Sequence, residues 1–189
     1  MSNRRAGLQS FAMQPNLDFA ALSALLRTVF ALEDRERELL ILVDLPDSAR
    51  PDHERWRDRR RIAVEWWRTL REHASELPFT DIALAVYPHV GSNNRDLPAH
   101  AARLAAPAGD DVVGASGEMV ALESLLRSAS VVLAPTQLSA TAPLKLLARR
   151  LGEARSSTTP DLAATAPAGT FIVVWTNDSR AVVGQRFKP

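Results

Sequence analysis

Three short runs of consecutive aliphatic residues lie far apart along the chain. They cover residues 39–43, 82–86 and 131–134. A short apolar run without polar interruption is typical of a β-strand that is buried on both faces, as in a parallel sheet. The pattern therefore predicts three neighbouring strands inside one sheet.

Around these runs, apolar residues recur at the three- and four-residue spacing of a helix. Asn16 or Asp18 is placed to cap the first such segment. Thr141 is placed to cap the last one, which carries Pro143 in its first turn and is expected to end at Gly152. The predicted helices cover residues 17–32, 51–76, 117–128 and 142–151.

Helices that alternate with buried strands are typical of parallel βαβ crossovers. We therefore predict an α/β fold, an open three-layer Rossmann-like sheet that is mostly parallel, over residues 16–152. Residues 1–15 are expected to form a flexible lead-in. Residues 153–189 are expected to form a linker rich in Ser, Thr, Ala and Pro, followed by a terminal strand at 171–175. This strand either pairs with 181–183 as a short β hairpin or forms a tail.

Charge and cysteine content narrow the classes of partner and chemistry. The chain has 189 residues, with 23 basic and 22 acidic side chains and a formal net charge of +1. This balance gives no electrostatic reason to expect nucleic acid or an anionic membrane as partner. There is no cysteine, so disulfides, thiolate metal sites and a cysteine nucleophile are excluded. Residues 6–16 form no apolar signal core and no run reaches the roughly 20 residues of a membrane span, so we expect a cytoplasmic protein.

Polar side chains follow each predicted strand. Because ligands of open parallel sheets bind beyond the carboxyl ends of the strands, these side chains are the candidate binding residues. They are Asp44 and Asp47 after the first strand, His89, Asn93, Asn94, Arg95 and Asp96 after the second, and Thr136, Ser139 and Thr141 after the third. Each also has a structural alternative: Asp47 can hold a turn, the asparagines can adopt left-handed backbone, and Ser139 or Thr141 can cap the following helix.

Sequence fingerprints of well-known catalytic sites are absent. The chain has no glycine-rich dinucleotide or phosphate loop and no Gly-x-Ser-x-Gly elbow. Asp96 and His100 stand four residues apart, but Pro98 lies between them, so we expect no metal site and no cofactor. Arginines crowd residues 55–61, where interleaved carboxylates favour an ion-paired helix face over a nucleic-acid surface.

The order and the local sequence of several segments resemble those of a known family. These segments are ILVDLPD at 41–47, the helix at 56–70, the stretch from Tyr87 to Pro98 with GSNNRD, and the APT to APLK stretch at 134–145. They resemble the amino-terminal α/β domain of the thermophilic-type leucyl aminopeptidase metallopeptidases over about residues 17–152. In that family the two-metal peptidase site belongs to a later, carboxyl-terminal domain, so the resemblance assigns no metal ligand to this chain.

The resemblance implies a stand-alone or truncated version of that domain, a binding or assembly module without peptidase activity of its own. It would contribute subunit contacts, in a homo-oligomer or a larger complex, or shape a substrate entrance. A small-molecule enzyme is the first alternative: His89 would transfer the proton and Arg95 would hold a carboxylate or phosphate. That alternative requires His89, Asp47 and Ser139 to converge on one pocket. A non-catalytic subunit of a larger complex, with contacts through 56–67 or the terminal segment, is the second.

Overall fold

The aliphatic runs become the central strands of one open sheet in a computed structural model of the chain. The structure describes residues 17–30, 32, 34–107, 109–156, 171–174 and 185–186. The helices are α1 (Phe19–Phe30), α2 (Glu54–Glu72), α3 (Leu122–Ser128) and α4 (Thr141–Ser156), with a 3-10 turn at Ala74–Glu76. The strands are β1 (Glu36–Leu45), β2 (Phe79–Pro88), β3 (His100–Leu104), β4 (Glu118–Ala121), β5 (Ala129–Ala134), β6 (Phe171–Val174) and β7 (Gln185–Arg186).

The sheet is mixed and mostly parallel, in the order β4-β3-β2-β1-β5-β6-β7. β1 lies at the centre and pairs in parallel with β2 on one side and β5 on the other. β6 continues the parallel part beside β5, whereas β3 and β7 run in the opposite direction. The three predicted strands are therefore adjacent and point the same way, as the sequence predicts.

Two apolar cores fill the space between the sheet and its helices. Alternate β1 residues supply both: Leu39, Ile41 and Val43 pack against α1 and α2, whereas Leu40 and Leu42 pack against α3 and α4. Because consecutive side chains of a strand point to opposite faces, an unbroken aliphatic run is what such a two-sided burial requires. The three-layer α/β, Rossmann-like prediction is confirmed.

The segment predicted as a helix at 117–128 is only half helical. Its first part is the edge strand β4, and α3 begins at Leu122. A Cβ on Gly117 would lie 2.6 Å from the carbonyl oxygen of Arg103, so the close approach of β4 to β3 requires glycine at that point. The short strands β3 and β4, which have no aliphatic run, were missed by the prediction.

Two predicted helix ends are confirmed or corrected by the structure. The side chain of Asp18 accepts the backbone N–H of Ala21 at 2.8 Å and caps α1, as predicted. α4 does not end at Gly152 but continues to Ser156, because a glycine inside a helix costs only about 1 kcal/mol. In the carboxyl-terminal segment β6 pairs antiparallel with β7. The predicted partner at 181–183 and the lead-in at 1–15 lie outside the described residues.

The arginine-rich face of α2 contains one buried exception. Pairs such as Arg57 with Asp52 lie at the surface, as predicted for an ion-paired helix face. The side chain of Arg60, however, is 0% exposed and lies between Asp52 and Asp111, with contacts of 2.7 to 2.9 Å. It ties α2 to the loop between β3 and β4. No described helix combines the length and apolar character needed to cross a membrane.

Candidate functional site

The predicted ligand crevice lies where β1 meets β5. From β1 the chain moves to β2 on one side of the sheet and later returns to β5 on the other, so the strand order reverses there. This reversal is the usual ligand site of an open α/β sheet. Asp44, near the end of β1, and Thr136, just after β5, both lie at this point and are almost wholly buried.

The Asp44 carboxylate holds the chain that follows β5. Its oxygens accept the backbone N–H groups of Gln137 at 2.8 Å and Leu138 at 3.0 Å. The indole N–H of Trp56, in the first turn of α2, donates to the same carboxylate at 3.0 Å. Burial raises the pKa of Asp44, and the three donors oppose that rise. The carboxylate is thus used within the fold, where it binds the loop that follows β5 across the end of β1.

Two more side chains lie close to Asp44 and Thr136. Arg59 of α2 donates to the carbonyl oxygen of Thr136 at 2.9 Å, and its burial lowers its pKa while the charge of Asp44 acts in the opposite direction. Tyr87 lies opposite Asp44 in the β1–β2 register. Burial, and then the charge of Asp44, raise the pKa of the Tyr87 hydroxyl. The hydroxyl of Thr136 donates to the carbonyl oxygen of Leu138 at 2.7 Å, which rigidifies the same loop.

Asp47 and His89 meet in the loops that follow β1 and β2. His89 Nε2 lies 2.8 Å from Asp47 Oδ1, although the angle at the ring nitrogen is poor for a hydrogen bond. The contact with His89, followed by the N–H of Arg50, lowers the pKa of Asp47. His89 Nδ1 accepts the N–H of Gly91 at 3.0 Å, which favours the tautomer with its proton on Nε2. Histidine and carboxylate thus form a dyad at the rim.

Asn93 and Asn94 bind the segment before α4. Asn93 accepts the N–H of Ser139 at 2.9 Å, and the N–H of Asn94 donates to the carbonyl oxygen of Ser139 at 2.6 Å. Oδ1 of Asn94 also accepts the hydroxyl of Ser139 and the N–H of Ala142, both at 3.2 Å. Asn94 therefore supplies an acceptor at the start of α4, whereas the hydroxyls of Ser139 and Thr141 lie 3.2 Å from each other.

Arg95 and Asp96 are exposed at the outer side of the rim. Arg95 folds back towards Gly91, since a Cβ built on that glycine would lie 3.5 Å from Arg95 Nη1. Arg50 approaches the same glycine and donates to its carbonyl oxygen at 2.7 Å. Asp96 instead lines a separate cavity of about 210 Å³ between the loop after β2 and helices α3 and α4.

The structure therefore brings the ten predicted residues to one end of the sheet, where eight of them fall into three groups. Asp44 and Thr136 lie between the ends of β1 and β5, Asp47 and His89 form the dyad, and the asparagines bind Ser139 next to Thr141. Arg95 and Asp96 belong to none of these groups. Sequence reasoning missed Trp56, Arg59 and Arg50 as members of this region. Trp56 had a signal, because it lies on the apolar stripe of the predicted helix at 51–76, and an indole N–H that becomes buried there needs an acceptor.

Among the described residues, no three His, Asp or Glu side chains are grouped so that they could hold a metal ion. Comparisons with protein-family models, with curated proteins and with solved structures found no match to the chain.

Proposed function

We propose that this chain is a binding or assembly module of the kind found at the amino terminus of leucyl aminopeptidase-like metallopeptidases, without peptidase activity of its own. The observation that carries the proposal is the contact of Asp44 with Gln137 and Leu138. This contact lies between the carboxyl ends of β1 and β5, where an α/β enzyme normally binds its substrate. The order of strands and loops at 41–47, 87–98 and 134–145 supports the same proposal.

The hydrogen bonds of the rim support a module with a fixed surface. Asn94 joins the loop after β2 to the start of α4, and Arg50 joins the loop after β1 to Gly91. A surface whose loops are already ordered loses little conformational entropy when a partner binds. We include in the proposal a cytoplasmic location and assembly with further copies of the chain or with a larger complex.

The test is a peptidase assay on the pure full chain. It uses aminoacyl p-nitroanilides of several side-chain types, with Zn²⁺, Co²⁺ or Mn²⁺ added in turn, and a known aminopeptidase as positive control. We expect no release of p-nitroaniline above the protein-free rate. Turnover that a chelator abolishes would refute the module. Light scattering tests self-assembly, and a mass of 20.7 kDa at every concentration would contradict it.

A second candidate function is a small-molecule enzyme that uses the His89–Asp47 dyad. It is favoured by the 2.8 Å contact of the dyad and by the two guanidinium groups near Gly91, those of Arg50 and Arg95. Such groups suit a carboxylate or phosphate. Ser139, expected from the sequence in the same pocket, donates its hydroxyl to Asn94 instead. The candidate therefore rests on the dyad and the two guanidinium groups without Ser139.

Inorganic phosphate and acetate are the probes for this second candidate. If it is right, either anion shifts the ring resonances of His89 in an NMR titration, and the Arg95→Gln variant removes the shift. Arg27→Gln, which changes an exposed arginine of α1, is the matched control. No shift of His89 with either anion would refute the anion-binding enzyme.

A further inference from the structure

The cavity of about 210 Å³ beside the rim has a chemically distinctive lining. Its apolar wall includes Leu97, Pro143 and Leu146, and its charged groups are Asp96, Glu123 and Arg150. Among the described residues, Leu146 is one of three large hydrophobic side chains that are exposed, with an exposed fraction of 55%. The lining therefore offers an apolar surface together with both signs of charge.

The walls of the cavity are held in place by one backbone–backbone hydrogen bond and one hydrogen bond to a side chain. The N–H of Leu122, the first residue of α3, donates to the carbonyl oxygen of Ala99 at 2.8 Å. Asn94 accepts the N–H of Ala142 and so fixes the first turn of α4 against the loop that carries Asp96. The cavity exists before any ligand arrives, as is usual for small-molecule sites.

The three charged groups have no ion-pair partner within the described part of the chain. The two carboxylates repel an anion that carries no positive group. A simple cation could pair with the carboxylates but would leave the guanidinium of Arg150 without a partner. A molecule that carries an ammonium group and a carboxylate matches both. Cavities for drug-sized ligands hold about 300–1,000 Å³, so a smaller cavity suits a smaller molecule.

We propose that this cavity binds a small aliphatic zwitterion, with its ammonium group towards Asp96 and Glu123, its carboxylate towards Arg150 and its alkyl chain on the leucines. The inference rests on the proposed function, because it names the ligand class of the binding module. Norvaline is the probe. Pentanoate, which lacks the ammonium group, and pentylamine, which lacks the carboxylate, are its matched controls.

The experiment is an NMR titration of the ¹⁵N-labelled full chain, read at the backbone amides of Leu122 and Leu147. We expect norvaline to shift these amides and to bind more tightly than either control. An exposed charge pair contributes about 0.2–1 kcal/mol. Asp96→Asn and Glu123→Gln should therefore each raise the dissociation constant of norvaline by up to about fivefold. Arg150→Gln should remove its advantage over pentylamine.

Controls separate a lost site from a damaged fold. Glu118→Gln and Arg27→Gln change exposed charges that do not line the cavity, and they should leave norvaline binding unchanged. Ala99→Leu places extra volume in the cavity wall and should abolish the shifts while the melting temperature stays close to that of the wild type.

Three results would overturn the zwitterion site: no shift at these amides, equal affinity for norvaline and pentanoate, or no effect of the Asp96 and Glu123 variants. Any of these leaves the module itself standing. Chelator-sensitive peptide turnover refutes the module whatever the titration shows.

Discussion

The carboxylate of Asp44 accepts the backbone N–H of Gln137 at 2.8 Å, although the two residues are 93 positions apart in the sequence. This contact joins the carboxyl ends of β1 and β5, the two strands between which the order of the sheet reverses. An α/β sheet normally leaves this place open for a ligand. Here the loop after β5 binds the Asp44 carboxylate at this place.

Asp44→Asn is expected to lower the free energy of unfolding by about 2 kcal/mol. The amide keeps the shape of the carboxylate but replaces one acceptor with a donor, which then faces the N–H groups of Trp56, Gln137 or Leu138. Urea unfolding at neutral pH measures the change. Asp58→Asn on α2 is the control, and equal stability of the two variants would show that the Asp44 contacts contribute nothing.

Asn94→Ala is expected to destabilise the protein more than Asn94→Gly. Asn94 has φ of 57°, a left-handed conformation that alanine adopts with strain and glycine without it. Both variants lose the acceptor for Ser139 and Ala142, so we expect about 1 kcal/mol for glycine and about 2 kcal/mol for alanine. Urea unfolding measures the free energies, and hydrogen exchange at the Ala142 amide should speed up in both. Ser92→Ala, in the same exposed loop, should change neither quantity.

Removal of the buried guanidinium of Arg60 should have a pH-dependent cost. The contacts with Arg60 lower the pKa of Asp52, and they lower that of Asp111 against the effect of burial. Carboxylates with lowered pKa values stabilise the fold above their ordinary titration range and lose that effect as the pH falls through the lowered values. Arg60→Met is therefore expected to cost about 3 kcal/mol at pH 7, and less as the pH falls below about 4.

Urea unfolding at several pH values checks the Arg60 prediction. Arg61→Met is its control, because Arg61 is exposed and contacts Asp58 and Asp110 only at 3.9 and 3.4 Å. A surface pair of this kind contributes at most about 1 kcal/mol. A deficit of Arg60→Met that stays constant from pH 7 to pH 2.5 would contradict the assignment to ion pairing.

Gly117→Ala is expected to destabilise the sheet by about 1–3 kcal/mol, because its Cβ would lie 2.6 Å from the carbonyl oxygen of Arg103 and 2.9 Å from Leu104 Cδ2. Gly109→Ala is the matched control, since a Cβ there meets nothing within 4 Å. Thermal unfolding of the two variants under identical conditions makes the comparison. Equal melting temperatures of Gly117→Ala and Gly109→Ala would mean that Gly117 does not lie against the Arg103 carbonyl oxygen.

The interior of the sheet could be predicted from the sequence because burial on two faces leaves a strong pattern. Residues 39–43 alternate between two cores and have no polar interruption. β4 gives no such signal, because its burial runs from exposed to intermediate and Met119 is 63% exposed. The apolar residues of β4 and α3 together follow the spacing of a single helix. The boundary at Leu122 therefore cannot be predicted without knowing that β4 pairs with β3.

The candidate site was predictable in place but not in grouping. That Asp44, His89 and Ser139 lie at one end of the sheet follows from the direction of parallel strands. Which of them bond to each other depends on loop conformations, such as the positive φ of Gly91 and Asn94, that the sequence only permits. The burial of Arg60 was equally hidden, since its partner Asp111 lies 51 residues away in a loop.

The contacts of Asp44 also favour the native register of β1 in the sheet. Side chains alternate along a strand, so a slip of β1 by one residue would turn this acid to the opposite side and leave the amides of Gln137 and Leu138 facing the aliphatic Val43 or Leu45. The aliphatic residues at 39–43 disfavour such a slip only weakly, because aliphatic side chains of similar size can be buried on either face of the sheet. Asp44 thus adds, at the carboxyl end of an aliphatic stretch, polar contacts that the native register satisfies and a register shifted by one residue does not.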